Sequence, residues 1–188
     1  MNVLRGLGAV KEAAENSKRQ LKIKSGESKI LRILSSADDI ISVYEHTDQI
    51  GGQWKTLTCL GPNTCPLCKA GKKASLKSYL VVLDREDSRV KIFKCSKTVG
   101  VQLIGLAKEY GDLTTRDFKV HRTGDKLDTT YQFFPRDAKK ENLAEYEIPD
   151  IMSIVRPLEV EDMEKLLAGA ALESISDGED IKRDDYPF

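Results

Sequence analysis

Short runs of β-branched and aromatic residues between turn formers, one long segment with helical spacing, and three cysteines crowded between positions 59 and 68 predict a mainly β fold with a metal-stapled loop. At 188 residues and 40% hydrophobic content, the chain can bury one substantial core with an appendage at each end. The expected organisation is an arm over residues 1–20, a core over residues 21–170 and an acidic tail over residues 171–188.

The elements follow in order. Residues 2–16 are Ala-rich and helix-permissive although Gly6 and Gly8 weaken the start, and Lys18 and Arg19 follow, so the segment reads as a basic arm outside the core. Strand-like runs then cover residues 29–34, 39–45, 53–59, 79–84 and 89–95, with Asp84-Arg85-Glu86-Asp87-Ser88 a polar hairpin turn. Residues 96–110 read as a helix: Ser96 is a candidate N-cap, Val99, Leu103, Leu106 and Ala107 share helical spacing, and Gly111 suits the position past the end. Strands over 118–122 and 129–134 flank the tight turn Thr123-Gly124-Asp125, and residues 159–167 form a small helix before Gly169. A β order interrupted by one helix suits an OB-fold-like five-stranded barrel carrying a zinc knuckle.

Cys59, Cys65 and Cys68 define that knuckle, over about residues 46–71. Pro66 and Leu67 fill a Cys-x-x-Cys turn whose thiolates converge on one tetrahedral ion, while Gly61, Pro62 and Asn63 turn Cys59 back towards it and Gly71 ends the loop. The fourth ligand is His46 or, as the alternative, Cys95, which would make a four-thiolate site. A thiol redox pair is the competing reading, but the third cysteine, the Lys-rich flanks and the missing βαβ pattern oppose it. Four protein ligands leave no open position, so one structural zinc ion is expected instead of a catalytic one.

The charge is divided unevenly. Residues 1–140 hold 26 Lys and Arg against 16 Asp and Glu, whereas residues 141–188 hold 4 against 14. A basic body suits a polyanion, and an acidic end can compete for the same surface. The final residues Asp184, Asp185, Tyr186, Pro187 and Phe188 combine acidic groups with an apolar hook suited to a basic groove on a partner protein. There is no run of about 18 apolar residues and no signal-peptide pattern, so a cytoplasmic protein without a membrane partner is expected. No carboxylate–His cluster, phosphate-binding Gly loop or nucleophile motif is present, which argues against an enzyme.

Strand alternation selects the surface for a nucleic acid. Arg89, Lys91 and Phe93 share one face of their strand with Cys95, placing a ring beside two cations. Trp54 shares a face with Thr56 and Thr58 and is a candidate stacking platform. Lys119, Arg122 and Tyr131 belong to the last hairpin, and Lys69, Lys72 and Lys73 beside the knuckle would contact phosphates. Phe118, Phe134 and Tyr79 are expected in the core.

The pattern His46, twelve residues, Cys59, five residues, Cys65, two residues, Cys68 resembles the zinc site of tailed-phage helix-destabilising proteins, which bind single-stranded DNA through an OB-fold. The middle gap is shorter than in the best-known members of that family. Tyr110-Gly111-Asp112, the stretch 117–123 and Leu127-Asp128-Thr129 extend the likeness over residues 20–170. The last residues resemble the tip of bacterial single-stranded-DNA-binding proteins, with Tyr186 where that family has Ile. These resemblances imply a protein that coats and protects single-stranded DNA during phage replication, recombination and repair in the host cytoplasm. They also imply self-association through the arm and recruitment of replication and recombination proteins through the tip. The alternative is a zinc-knuckle adaptor of a replication or transcription complex.

Overall fold

The computed structural model describes residues 19–50, 52–155 and 157–168; the arm expected over residues 1–20, apart from its last two residues, and the acidic tail with Asp184 to Phe188 lie outside them. The described chain is mainly β, with seven strands: β1 (Ser28–Ile33), β2 (Ile41–Ile50), β3 (Gln53–Thr58), β4 (Ser75–Asp84), β5 (Arg89–Ser96), β6 (Arg116–Thr123) and β7 (Thr130–Ala138). Four helices accompany them: α1 (Pro66–Lys69), α2 (Lys97–Tyr110), α3 (Ile151–Val155) and α4 (Val160–Leu167). Contacts divide the described chain into a larger unit, residues 19–42 and 78–151, and a smaller one, residues 43–77 and 152–168, with residues 51 and 156 outside the described set.

In the larger unit the strands follow the order β5-β4-β1-β6-β7. The β1–β4, β1–β6 and β6–β7 pairs are antiparallel. The sheet is open: among the described residues no ladder joins β5 to β7, so the five-stranded barrel expected from the sequence is not closed by backbone hydrogen bonds. Two local features explain the open ends. Pro135 sits within β7 and has no N–H to donate, which suits an edge strand. The free edge of β5 is met by residues 19–21, where Ile92 N donates to Arg19 O (2.6 Å) and Leu21 N to Ile92 O (2.9 Å).

The core of this unit gathers Ile23, Leu31, Ile33, Leu80, Val82, Phe93, Phe118, Val120 and Phe133, closed on one side by Val99 and Leu103 of α2. The helix starts and stops where the sequence indicates: Ser96 is its N-cap, and Gly111, at φ 73°, donates from its N–H to Ala107 O at 2.9 Å. Gly124 is required for a second reason. A Cβ there would sit 2.1 Å from Asp128 O, so the β6–β7 turn admits no side chain at this position.

Buried ion networks fix both faces of β1: Arg32 stands in register with Asp117 on the face opposite the core, and Asp84 with Leu31 on the core side. Arg32, 1% exposed, donates from Nε to Asp117 at 2.5 Å and from Nη1 to the Thr114 and Lys139 carbonyls. Arg85 engages Asp117 and Glu141 together, and Tyr146 donates to Glu141 at 2.7 Å. Asp84, without exposure, accepts from Lys29 at 2.9 Å and Lys91 at 2.8 Å. Charges removed from water are stable only when paired in this way.

In the smaller unit β2 and β3 form a hairpin in the register His46↔Leu57, Thr47↔Thr56 and Gln49↔Trp54. Alternation directs His46 and Leu57 to one face and Trp54 and Thr56 to the other. Leu57 on the first face packs against Leu67 of α1 and Met163 of α4 in one apolar cluster.

Candidate functional site

The knuckle is built by backbone geometry. Cys59 continues the hairpin ladder, its N–H donating to Tyr44 O at 2.7 Å. The chain then reverses through Gly61 at φ 94°, and Gly61 O accepts from the N–H groups of Thr64 (3.2 Å) and Cys65 (2.9 Å). Pro66 opens α1, where its missing N–H is not needed and its fixed φ favours the turn. This single turn brings Cys68 back towards Cys65. Gly71, at φ 77°, ends the loop, and Lys72 N donates to Leu67 O at 2.9 Å.

The result is a cluster of His46, Cys59, Cys65 and Cys68 whose ligand atoms all lie within 4.8 Å of one another. His46 Nε2 is 3.5 Å from both Cys65 Sγ and Cys68 Sγ, and Cys59 Sγ is 3.5 Å from Cys68 Sγ. Zinc–sulfur bonds of about 2.3 Å and zinc–nitrogen bonds of about 2.0 Å give tetrahedral edges of about 3.5–3.8 Å, so the four donors fit one metal ion. Thiolate charge gathered in this cluster is opposed at Cys68. Burial and the neighbouring Cys59 push Cys68 up to about 11, whereas Cys65 falls below its usual value because backbone N–H groups outweigh its burial. A dication would relieve that crowding.

His46 is 1% exposed and its Nδ1 has no hydrogen-bond partner among the described residues, where packing and strand register orient the ring. Cys95, the alternative fourth ligand, is instead a core residue of the larger unit, 3% exposed. Below the cluster lies a small apolar core. Cys65, Leu67 and Met163 are fully buried, with Leu57 and Leu60 packed against them, and Thr58 Oγ1 donates to Val155 O at 2.9 Å.

The residues expected to contact nucleic acid divide into three groups. Trp54 is 54% exposed, and Lys69, Lys73, Arg89 and Lys119 are also exposed. Lys72 is exposed but paired with Asp48 at 2.7 Å. The remainder are engaged inside the fold. Phe93 is 2% exposed and packs edge-on against Tyr131 at 5.1 Å, so its face is not available to a base. Lys91, 9% exposed, is held by Asp84 and by Asp87 at 2.6 Å. Arg122 donates to Ile23 O at 2.6 Å and Thr129 Oγ1 at 3.2 Å.

The physical reason is the direction of the β5 face. The side of β5 expected to meet a ligand carries Phe93 and Cys95 into the core, while Ile92 on the other side is buried too. Phe118 and Tyr79 are buried as expected, but Phe134 is exposed, because Phe133 already takes the inward position opposite Val120. Strict alternation puts Phe133 and Phe134 on opposite faces, and packing decides which of them is inward. The helix α3 and its carbonyl contact with Thr58 carried no comparable sequence signal.

Among the described residues no helix is long and apolar enough to cross a membrane. Fold and site together define a mainly β protein with a cluster of one histidine and three cysteines able to hold a metal ion. Comparison with protein-family models, curated proteins and solved structures gives no match.

Proposed function

We propose that this chain is a non-enzymatic protein that binds single-stranded DNA with little sequence preference and uses one structural zinc ion to fold its smaller unit. The observation that carries the reading is Trp54. It stands 54% exposed in the hairpin that also supplies His46 to the metal cluster, in a chain whose first 140 residues are strongly basic. A large ring kept in water is a base-stacking platform, and lysines of the same unit, Lys69 and Lys73, supply phosphate contacts. Zinc is the proposed ion because a set of three thiolates and an imidazole matches its preference. With all four positions taken by protein, the ion organises the knuckle and activates no water.

The larger unit is proposed as an OB-fold. Its strand order β5-β4-β1-β6-β7, with α2 between β5 and β6, is that of a partly open five-stranded Greek-key barrel. Ring contacts of Phe93 with Tyr131 and with Phe133 at 6.1 Å bridge the two end strands without a ladder. The biological setting proposed is phage replication, recombination and repair, with residues 171–188 recruiting partner proteins.

The test is a titration of zinc-loaded protein with a single-stranded oligonucleotide and with its duplex, followed by Trp54 fluorescence at two salt concentrations. Quenching by the single strand that weakens steeply with salt is expected; equal response to the duplex, or none to either, would remove the proposal. One observation favours a protein adaptor as the second reading. Val101 and Ile104 of α2 are each 58% exposed on one helix face, and binding confined to protein partners would select it.

A further inference from the structure

Phe134 is 49% exposed although its neighbour Phe133 is buried. The registers place it in one row with Ile30 of β1 and Lys119 of β6, and the adjacent row holds Ser28, His121 and Gln132. Opposed residues in antiparallel strands share a face with Cβ atoms about 5 Å apart, so Lys119 borders the Phe134 ring. Arg136, also exposed, follows two residues later on the same strand. Neither row contains a carboxylate, and Asp117, the next residue on this face of β6, is bound by Arg32 and Arg85.

We propose that Phe134 is a base-stacking platform for single-stranded DNA, with Lys119 and Arg136 taking the flanking phosphates. The inference rests on the DNA-binding reading above and adds a subsite in the larger unit, at a residue the sequence places in the core. Three features select this ligand. A single exposed ring matches one base in size, and the only other apolar member of its row, Ile30, is half-buried, so no broad apolar patch is offered to a protein. Lys119, with no carboxylate in its own row or the adjacent one, attracts a phosphodiester. Exposed Gln132, beside Ser28 Oγ hydrogen-bonded to His121 Nδ1 at 2.9 Å, provides polar groups at the edge of the ring. Stacking accepts any base, so the subsite adds affinity and not sequence preference.

Equilibrium binding of a labelled oligothymidylate tests this in Phe134→Ala, Phe134→Trp and Lys119→Ala proteins, alongside photocrosslinking to a bromodeoxyuridine oligonucleotide with peptide mapping. Phe134→Ala is expected to weaken binding about 5- to 100-fold with unchanged thermal unfolding, and Phe134→Trp to retain it. Lys119→Ala should lower the salt slope by about one, and the crosslink should map to the peptide containing Phe134. Wild-type affinity in Phe134→Ala with crosslinks elsewhere overturns the subsite and leaves the DNA-binding reading standing. A wild-type protein that binds no oligonucleotide overturns both.

Discussion

Met163 Sδ lies 3.7 Å from Cys65 Sγ, and neither side chain reaches solvent. A residue of α4 therefore packs directly on a member of the metal cluster 98 positions earlier in the chain. The helix is short, and most of the stability of such a helix comes from the face it buries. Here that face is Met163 and Leu166, both without exposure.

Metal removal should accordingly loosen α4 together with the knuckle. Chelation is expected to speed amide hydrogen exchange over residues 57–68 and 160–167 in parallel, with zinc restoring both. Acceleration confined to the knuckle would show that the helix is held by other contacts. Met163→Ala should cost about 2–5 kcal/mol of the smaller unit's stability, measured by denaturant unfolding, because the cavity would open in a close-packed site.

The ligand set can be separated by metal content. Cys68→Ala and His46→Ala are each expected to lose the ion and lower the thermal midpoint, since three donors bind a structural ion far less tightly than four. Cys95→Ala should keep one ion per chain, because Cys95 lies in the core of the larger unit. Native mass spectrometry distinguishes these outcomes; metal loss in Cys95→Ala would refute the assignment.

Acid should weaken the larger unit. Arg85 and Tyr146 hold the Glu141 carboxyl down at about 2, and Asp117 and Asp84 also lie below their ordinary values because arginine and lysine partners outweigh their burial. A depressed carboxylate pKa means that the unfolded chain binds more protons, so stability rises with pH. The contribution is fully present above the ordinary values, 3.8 for the aspartates and 4.5 for Glu141, and is lost as pH falls through the folded values. Denaturant unfolding from neutral pH to pH of about 2 measures it, and Glu141→Gln should flatten the slope. Asp117→Asn should cost about 3–5 kcal/mol at neutral pH by leaving the buried Arg32 short of its counter-charge.

Two aromatic substitutions should have opposite signatures. Phe93→Ala is expected to destabilise by about 3–5 kcal/mol, as for a buried ring, and to affect ligands only through folding. Trp54→Ala should change stability by no more than about 0.5 kcal/mol and weaken single-stranded DNA binding instead. Unfolding curves and oligonucleotide binding measured on the same two proteins decide between core and surface roles.

What the sequence by itself determined is local. The Cys-x-x-Cys turn, Gly61 and Gly71 at positive φ, Ser96 and Gly111 at the ends of α2, and the turn at Gly124 are each set by a few neighbouring residues, and all appear as expected. His46 was legible as a member of the cysteine cluster because a hairpin register fixes which residues share a face. Tertiary structure alone decided which face of a strand is inward. Phe93 is buried and Phe134 exposed, the reverse of the expected placement, because β5 is buried on both sides and β7 admits only one of two adjacent rings. Only the folded chain could bring Met163 to Cys65, or Arg32 to Asp117 and Glu141, since those partners lie far apart in sequence and meet through packing, not periodicity.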